Sequence, residues 1–145
     1  MFTNILIPID GSELSEKAVR YGVQFARAIG ARVTAFHATP EFHAFSYVME
    51  LYANTREEAE RRAAARTKSL LRFVHKTASA AGVPCVEVCA RSDDPYKEII
   101  KSAEAAGCDL ILMASHGRRG LEGVLLGSET HKVLTHSHIP VLVYR

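Results

Sequence analysis

The sequence predicts an α/β fold of the doubly wound class: a five-stranded parallel sheet of order 3-2-1-4-5, helices on both faces, in one domain covering residues 1–145. Two observations carry that expectation. Short, nearly continuous apolar runs alternate with longer stretches of helical periodicity in the pattern βαβαβαβαβ. Such an alternation builds parallel neighbours joined by right-handed crossovers. The runs carrying Pro84 with Glu87, and Pro140, are those this order sends to the sheet edges, and the central runs are read as carrying neither feature.

The elements follow in order. NILIPI, Asn4 to Ile9, is too short for a helix and apolar on successive residues, as a strand buried on both faces must be. Ser12 is then an N-cap for a helix whose stripe is Leu14, Ala18, Tyr21, Phe25 and Ile29, closed by Gly30. ARVTAFHA is the second strand. Thr55 and Glu58 form a capping-box pair at the head of a long helix with Ala59, Ala63, Thr67, Leu70, Val74, Ala78 and Ala81 on one face. Its wet side carries the i,i+4 pairs Glu57/Arg61 and Glu58/Arg62. VPCVEVCA is the third strand, Asp94-Pro95 opens the next helix as N-cap and N1, and DLILMAS and IPVLVY are the last two strands. The connection from Pro40 to Asn54 is long, with Phe42, Phe45, Met49 and Tyr52 near helical spacing. A short covering helix, packing over the sheet edge and partial disorder all stand open for it.

Composition narrows the class. With 48% hydrophobic and 23% charged residues, the chain can bury a core without staples or metals. A net charge of +2, with Lys and Arg interleaved with Glu, argues against nucleic acid as a partner. No basic leader and no membrane-length apolar stretch is present, so a cytoplasmic location and no membrane association are expected. Cys85, Cys89 and Cys108 lie in apolar segments and read as reduced core thiols. His131, His136 and His138 read as surface residues, because helical angles point the first two apart.

Ligands of open α/β sheets sit at the carboxyl ends of the strands where the winding reverses, here between strands 1 and 4. The loops concerned are IDGSE and ASHGRRGLEGVLLGSET, Ala114 to Thr130. The second places glycines, arginines and a helix start together. Gly117 permits close backbone approach, and Gly127-Ser128 leads into ETHKVLTH, whose first amides carry the positive end of the helix dipole. Ser128 can cap that helix and also donate to an anion. Phosphate suits this chemistry. The loop is neither a Walker A sequence nor a GxGxxG fingerprint. Arg118 and Arg119 are adjacent, so at most one of them meets a given phosphate. His116 is read as a phosphate contact, a general acid or a solvated loop residue, and Asp10 as a ligand-binding residue, a cap for the Ser12 helix, or both.

The whole chain resembles the universal stress protein family, through ILIPIDGSE, DLILMASHGRRGLEGVLLGSETHKVL and the final IPVLVYR. Nucleotide-binding members carry Gly-x2-Gly-x9-Gly-Ser/Thr in the fourth-strand loop. Here the spacing is kept through Gly117, Gly127 and Ser128, and Ala114 replaces the first glycine. The resemblance implies an adenine nucleotide alpha hydrolase-like fold that binds ATP, or ADP or AMP, as a dimeric stress-response regulatory protein. It implies that Gly117, Gly127, Ser128 and the backbone at Glu129 hold the phosphates, that Asp10 lies by the sugar, and that Ile9 and Ala38 flank the adenine. Pro8, Ala114, His116 and Arg118 complete the expected nucleotide site. A methyl group at Ala114 costs about 1 kcal/mol if positive φ is needed there, and little if only close approach is needed.

The terminal strand, Val141, Leu142, Val143 and Tyr144, is apolar on both faces and invites pairing with a second copy, as the resemblance also implies. No array of metal-binding carboxylates with a catalytic base is evident, so hydrolysis is expected to be slow at most. Any Mg2+ would be held mainly by phosphates, with Asp10 assisting. The alternative is a dimeric interaction module that binds no nucleotide, supported by Ala114. A phosphoacceptor domain is disfavoured because it needs paired acids after strand 1 and a lysine after strand 5. A flavin carrier is disfavoured by the acidic first loop.

Overall fold

The computed structural model describes residues 1–41, 55–118 and 126–145. Its strands are β1 (Asn4–Pro8), β2 (Arg32–Thr39), β3 (Cys85–Arg91), β4 (Leu110–Ala114) and β5 (Val141–Tyr144). Its helices are α1 (Glu13–Ile29), α2 (Thr55–Ala80), α3 (Pro95–Ala105) and α4 (Ser128–His136). All pairings are parallel and the order is β3-β2-β1-β4-β5, as the sequence predicts.

Alternation along the strands divides the core into two layers. Ile5, Ile7, Ile9, Val33, Ala35, Leu110 and Leu112 face α1 and α2, meeting Ala18, Val19, Val23, Leu71, Val74 and Ala78. Leu6, Phe36, Ile111 and Met113 face α3 and α4, meeting Ile99, Ala103 and Val133. At the amino end of the sheet the buried Asn4 donates to Ala106 O at 3.0 Å and accepts from Thr34 Oγ1 at 3.0 Å. This ties three segments together with no polar atom of the pair left idle.

Several expectations need correction. The buried line of α1 is Ser15, Ala18, Val19, Gly22, Val23 and Ala26, whereas Tyr21 from the expected stripe is 47% exposed. The helix lies close to the sheet on its small residues: a Cβ on Gly22 would sit 2.6 Å from Ile7 Cδ1. Large residues at Leu14, Phe25 and Ile29 therefore flank the contact instead of centring it. On α2, Leu71 joins the expected face, and the Glu57/Arg61 and Glu58/Arg62 pairs form at 3.7 and 3.0 Å. The side chain of Thr55 lies outside the described residues, as do residues 42–54 and their expected aromatic spacing.

Only Cys108 is a core thiol. Cys85 is half-buried and Cys89 is exposed, because β3 is an edge strand whose outer residues stand clear of the helices. Burial pushes the Cys85 thiol up to about 11, and burial raises Cys108 as well, so neither is a ready nucleophile.

Central strand β1, read as free of proline, ends on Pro8. Asn4 O accepts from Asp109 N and Ile9 N donates to Phe36 O, so the even residues of β1 address β4. Pro8 has no hydrogen to offer on that side. The β1–β4 register covers only Ile5↔Leu110 and Leu6↔Ile111. The two strands thus part at their carboxyl ends, where the winding reverses.

Replacing Gly22 by Val should cost about 2 kcal/mol, because overpacking against fully buried Ile7 and Leu112 outweighs the small gain in helix propensity. Urea unfolding is the check, with a lowered midpoint and unchanged slope expected.

Candidate functional site

The gap beyond Pro8 is bridged by Asp10. Its Oδ1 accepts from Ser12 N at 2.9 Å and its Oδ2 from Arg118 N at 2.9 Å. Its own carbonyl accepts from Arg66 Nη2 of α2 at 3.0 Å. Capping is shared: Ser12 Oγ accepts from Ser15 N at 3.1 Å, and Asp10 orients the turn that precedes it. That turn needs glycine, since Gly11 has φ 83° and a Cβ there would meet Arg66 Nη2 at 2.8 Å. Burial opposes the Asp10 charge, but hydrogen bonds from Ser12, Arg118 and Ser15 outweigh it and hold the carboxyl below its ordinary 3.8.

The loop after β4 is built on close approach. Asp10 Oδ2 occupies the place a Cβ on Gly117 would take. A Cβ on Gly127 would lie 3.1 Å from His116 Cα and 3.3 Å from Ser115 O. Gly127 N donates to Ser115 O at 2.7 Å, so the loop closes where it began. Neither glycine has positive φ, and neither does Ala114. Of the two costs weighed for Ala114, backbone strain is thus excluded: the residue is an ordinary strand position, 8% exposed, packed in the α1/α2 layer.

Gly127, not Ser128, is the N-cap of α4, and Ser128 opens the helix with its side chain exposed. Thr130 Oγ1 donates to Ala114 O at 2.9 Å, pinning the first turn of α4 to the end of β4. Glu129 faces α3: its Oε2 accepts from Tyr96 N at 2.9 Å and its Oε1 meets Lys132 Nζ at 3.0 Å. It thereby caps α3, a task Asp94 holds by position but does not perform with its side chain. Only the backbone of Glu129 remains to face the crevice. Arg119, Gly120 and Gly123 lie outside the described residues.

The residues expected around the base do not share one face. Ile9 is 2% exposed in the α1/α2 layer, with its N–H given to Phe36 O and its carbonyl to His37 Nδ1 at 2.7 Å. Ala38 packs in the opposite layer, the side that Pro8 shares with Leu6 by alternation. His37 and Arg66 escaped the sequence reading. A polar residue inside the buried run ARVTAFHA was a signal for the first, and α2 gave none for the second. His116 is half-buried, and its Nδ1 lies 3.2 Å from Ser115 Oγ. Among the described residues no group of three metal-ligating side chains forms.

The depressed carboxyl of Asp10 fixes the sign of a pH effect. Its bonds stabilise the fold fully above the unfolded-state value near 4, and that contribution fades as pH falls through the lower folded-state value. Asp10→Asn should therefore lower stability at pH 7 and fall progressively closer to the parent below pH 4. Urea unfolding of both proteins across pH 3–7 measures this.

Comparison with known proteins agrees with this architecture. The universal stress protein family profile matches residues 1–145. Universal stress protein YxiE of Bacillus subtilis is 30% identical, with all of both chains covered. Universal stress protein MJ0531 of Methanocaldococcus jannaschii is also 30% identical, covering all of this chain and 83% of the relative. The solved structure of MJ0577 superposes with a TM-score of 0.81 at 29% identity, covering 99% of this chain and 95% of that one. Two further structures of the same fold, at 23% and 19% identity, are universal stress proteins in complex with cAMP and, from Archaeoglobus fulgidus, with dAMP. Matched from its first residue to its last, the chain belongs to the universal stress protein family.

Proposed function

We propose that the protein binds ATP, or another adenine nucleotide, as a homodimeric stress-response regulatory protein with at most slow hydrolysis. The observation that carries the reading is the pair of loop glycines: Asp10 Oδ2 stands where a Cβ on Gly117 would be, and a Cβ on Gly127 would crowd the His116 backbone at 3.1 Å. They bring the β4 loop against Asp10 and leave the first amides of α4 beside the gap opened by Pro8. Unpaired amides at a helix start favour a phosphate. In this reading Gly117, Gly127, Ser128 and the Glu129 backbone hold phosphates, with His116 and Arg118 beside them. Asp10 lies by the sugar, and Pro8 and Ala38 offer one apolar face to the base. Ile9 supports that face from within the core, since its side chain is buried in the opposite layer and its backbone is engaged. The same fold carries adenine mononucleotides in two structural relatives. Any Mg2+ would arrive with the phosphates, because each Asp10 oxygen already accepts a backbone N–H.

A non-binding interaction module is the second reading. It draws on the same Asp10–Arg118 contact, which spans the crevice with protein groups alone. Calorimetric titration of Mg-ATP into nucleotide-free protein separates the two. Saturation at micromolar to low-millimolar concentration, weakened about tenfold or more by Gly127→Val, supports nucleotide binding. No saturation selects the interaction module.

Dimerisation is proposed through β5. Its four residues are only half-buried at the sheet edge, and Tyr144 packs against the exposed Tyr21 with the rings tilted by 39° and 5.3 Å between their centres. Val143→Asp should convert a dimer to a monomer in sedimentation, with the far-UV spectrum retained.

A further inference from the structure

A cleft of about 460 Å3 opens between the first turns of α1 and the segment His116 to Arg118. Of its eight lining residues only Leu14 is a large apolar side chain, so it is a poor seat for a base. Cationic residues line it from two elements, Lys17 from α1 and Arg118 from the loop. The one acid on its wall, Glu13, pairs with Lys17 at 2.8 Å. Both partners are largely exposed, at 53% and 84%, and such a pair yields readily to a ligand of higher charge.

The position of the cleft matters as much as its lining. Gly117 belongs both to the phosphate-spaced loop and to the cleft wall, whereas Ser128 and the start of α4 do not line it. The cleft is thus a continuation of the anion site on the α1 side. A monophosphate ends at the loop. A triphosphate has two further charged groups to place, and this is the polar, cationic space adjoining them.

We infer that Lys17 and Arg118 receive the terminal phosphate of a nucleoside triphosphate in this cleft, and that Lys17 sets the preference for triphosphate over monophosphate. The inference rests on the nucleotide-binding reading. Glu13 acts as the competing anion that Lys17 leaves when the phosphate arrives.

Titration of ATP and of AMP into the parent protein, Lys17→Ala and Glu13→Gln tests it. Lys17→Ala should weaken ATP about tenfold with little change for AMP, and Glu13→Gln should tighten ATP without tightening AMP. If Lys17→Ala weakens both nucleotides alike, or neither, the assignment of Lys17 is overturned while nucleotide binding stands. If the parent binds neither nucleotide, the nucleotide-binding reading itself fails. Inorganic tripolyphosphate then judges the cleft: saturable binding lost in Lys17→Ala upholds an anion site there, and its absence overturns it.

Discussion

The carboxyl end of the sheet depends on one carboxylate held between two loops. Asp10 and Arg118 are 108 positions apart in the chain, yet the Asp10 side chain accepts the Arg118 amide and the amide of its own turn together. This contact is made where strand pairing fails. Pro8 removes the donor that would have continued the β1–β4 ladder, so a side chain supplies across the gap the link that backbone supplies elsewhere. The low-dielectric setting that makes such a charge costly also strengthens the hydrogen bonds that keep it ionised.

Glycine has two different tasks here. Gly11, with φ 83°, serves a turn that a side chain would strain. Gly117 and Gly127 have ordinary backbone angles and serve proximity, because Asp10 stands where a side chain on Gly117 would be and the His116 backbone would crowd one on Gly127. Ala114 fits the same distinction. Its methyl points into a core layer and not across the loop, so a departure from the glycine spacing is absorbed by the strand without backbone strain. Glu129 shows a parallel division, its side chain capping α3 while its backbone belongs to the start of α4.

Strand order and the capping of α1 by Ser12 and Gly30 were legible from local features, namely apolar runs, periodicity and cap residues, whereas proline placement was no guide to the edges: Pro8 ends central β1, and Pro84 and Pro140 precede β3 and β5. The two site loops were legible because the order of winding decides which strand ends meet. The buried line of α1 was not. Hydrophobicity alone placed large residues at its centre, and the close seating over Gly22 moved that centre to small ones.

The sequence by itself determined the alternation of elements, the parallel sheet and the meeting of the β1 and β4 loops, since these follow from periodicity and short-range chemistry. Only the tertiary structure decided which polar groups are spent on holding the site together. Ile9 gives its backbone to Phe36 and His37, Arg66 reaches from α2 to the carbonyl of Asp10, and Glu129 turns its side chain to α3. Each of those contacts joins segments that no local rule relates. Hydrogen bonds and close packing at a few ångströms are set by how layers dock, and docking is a property of the folded whole.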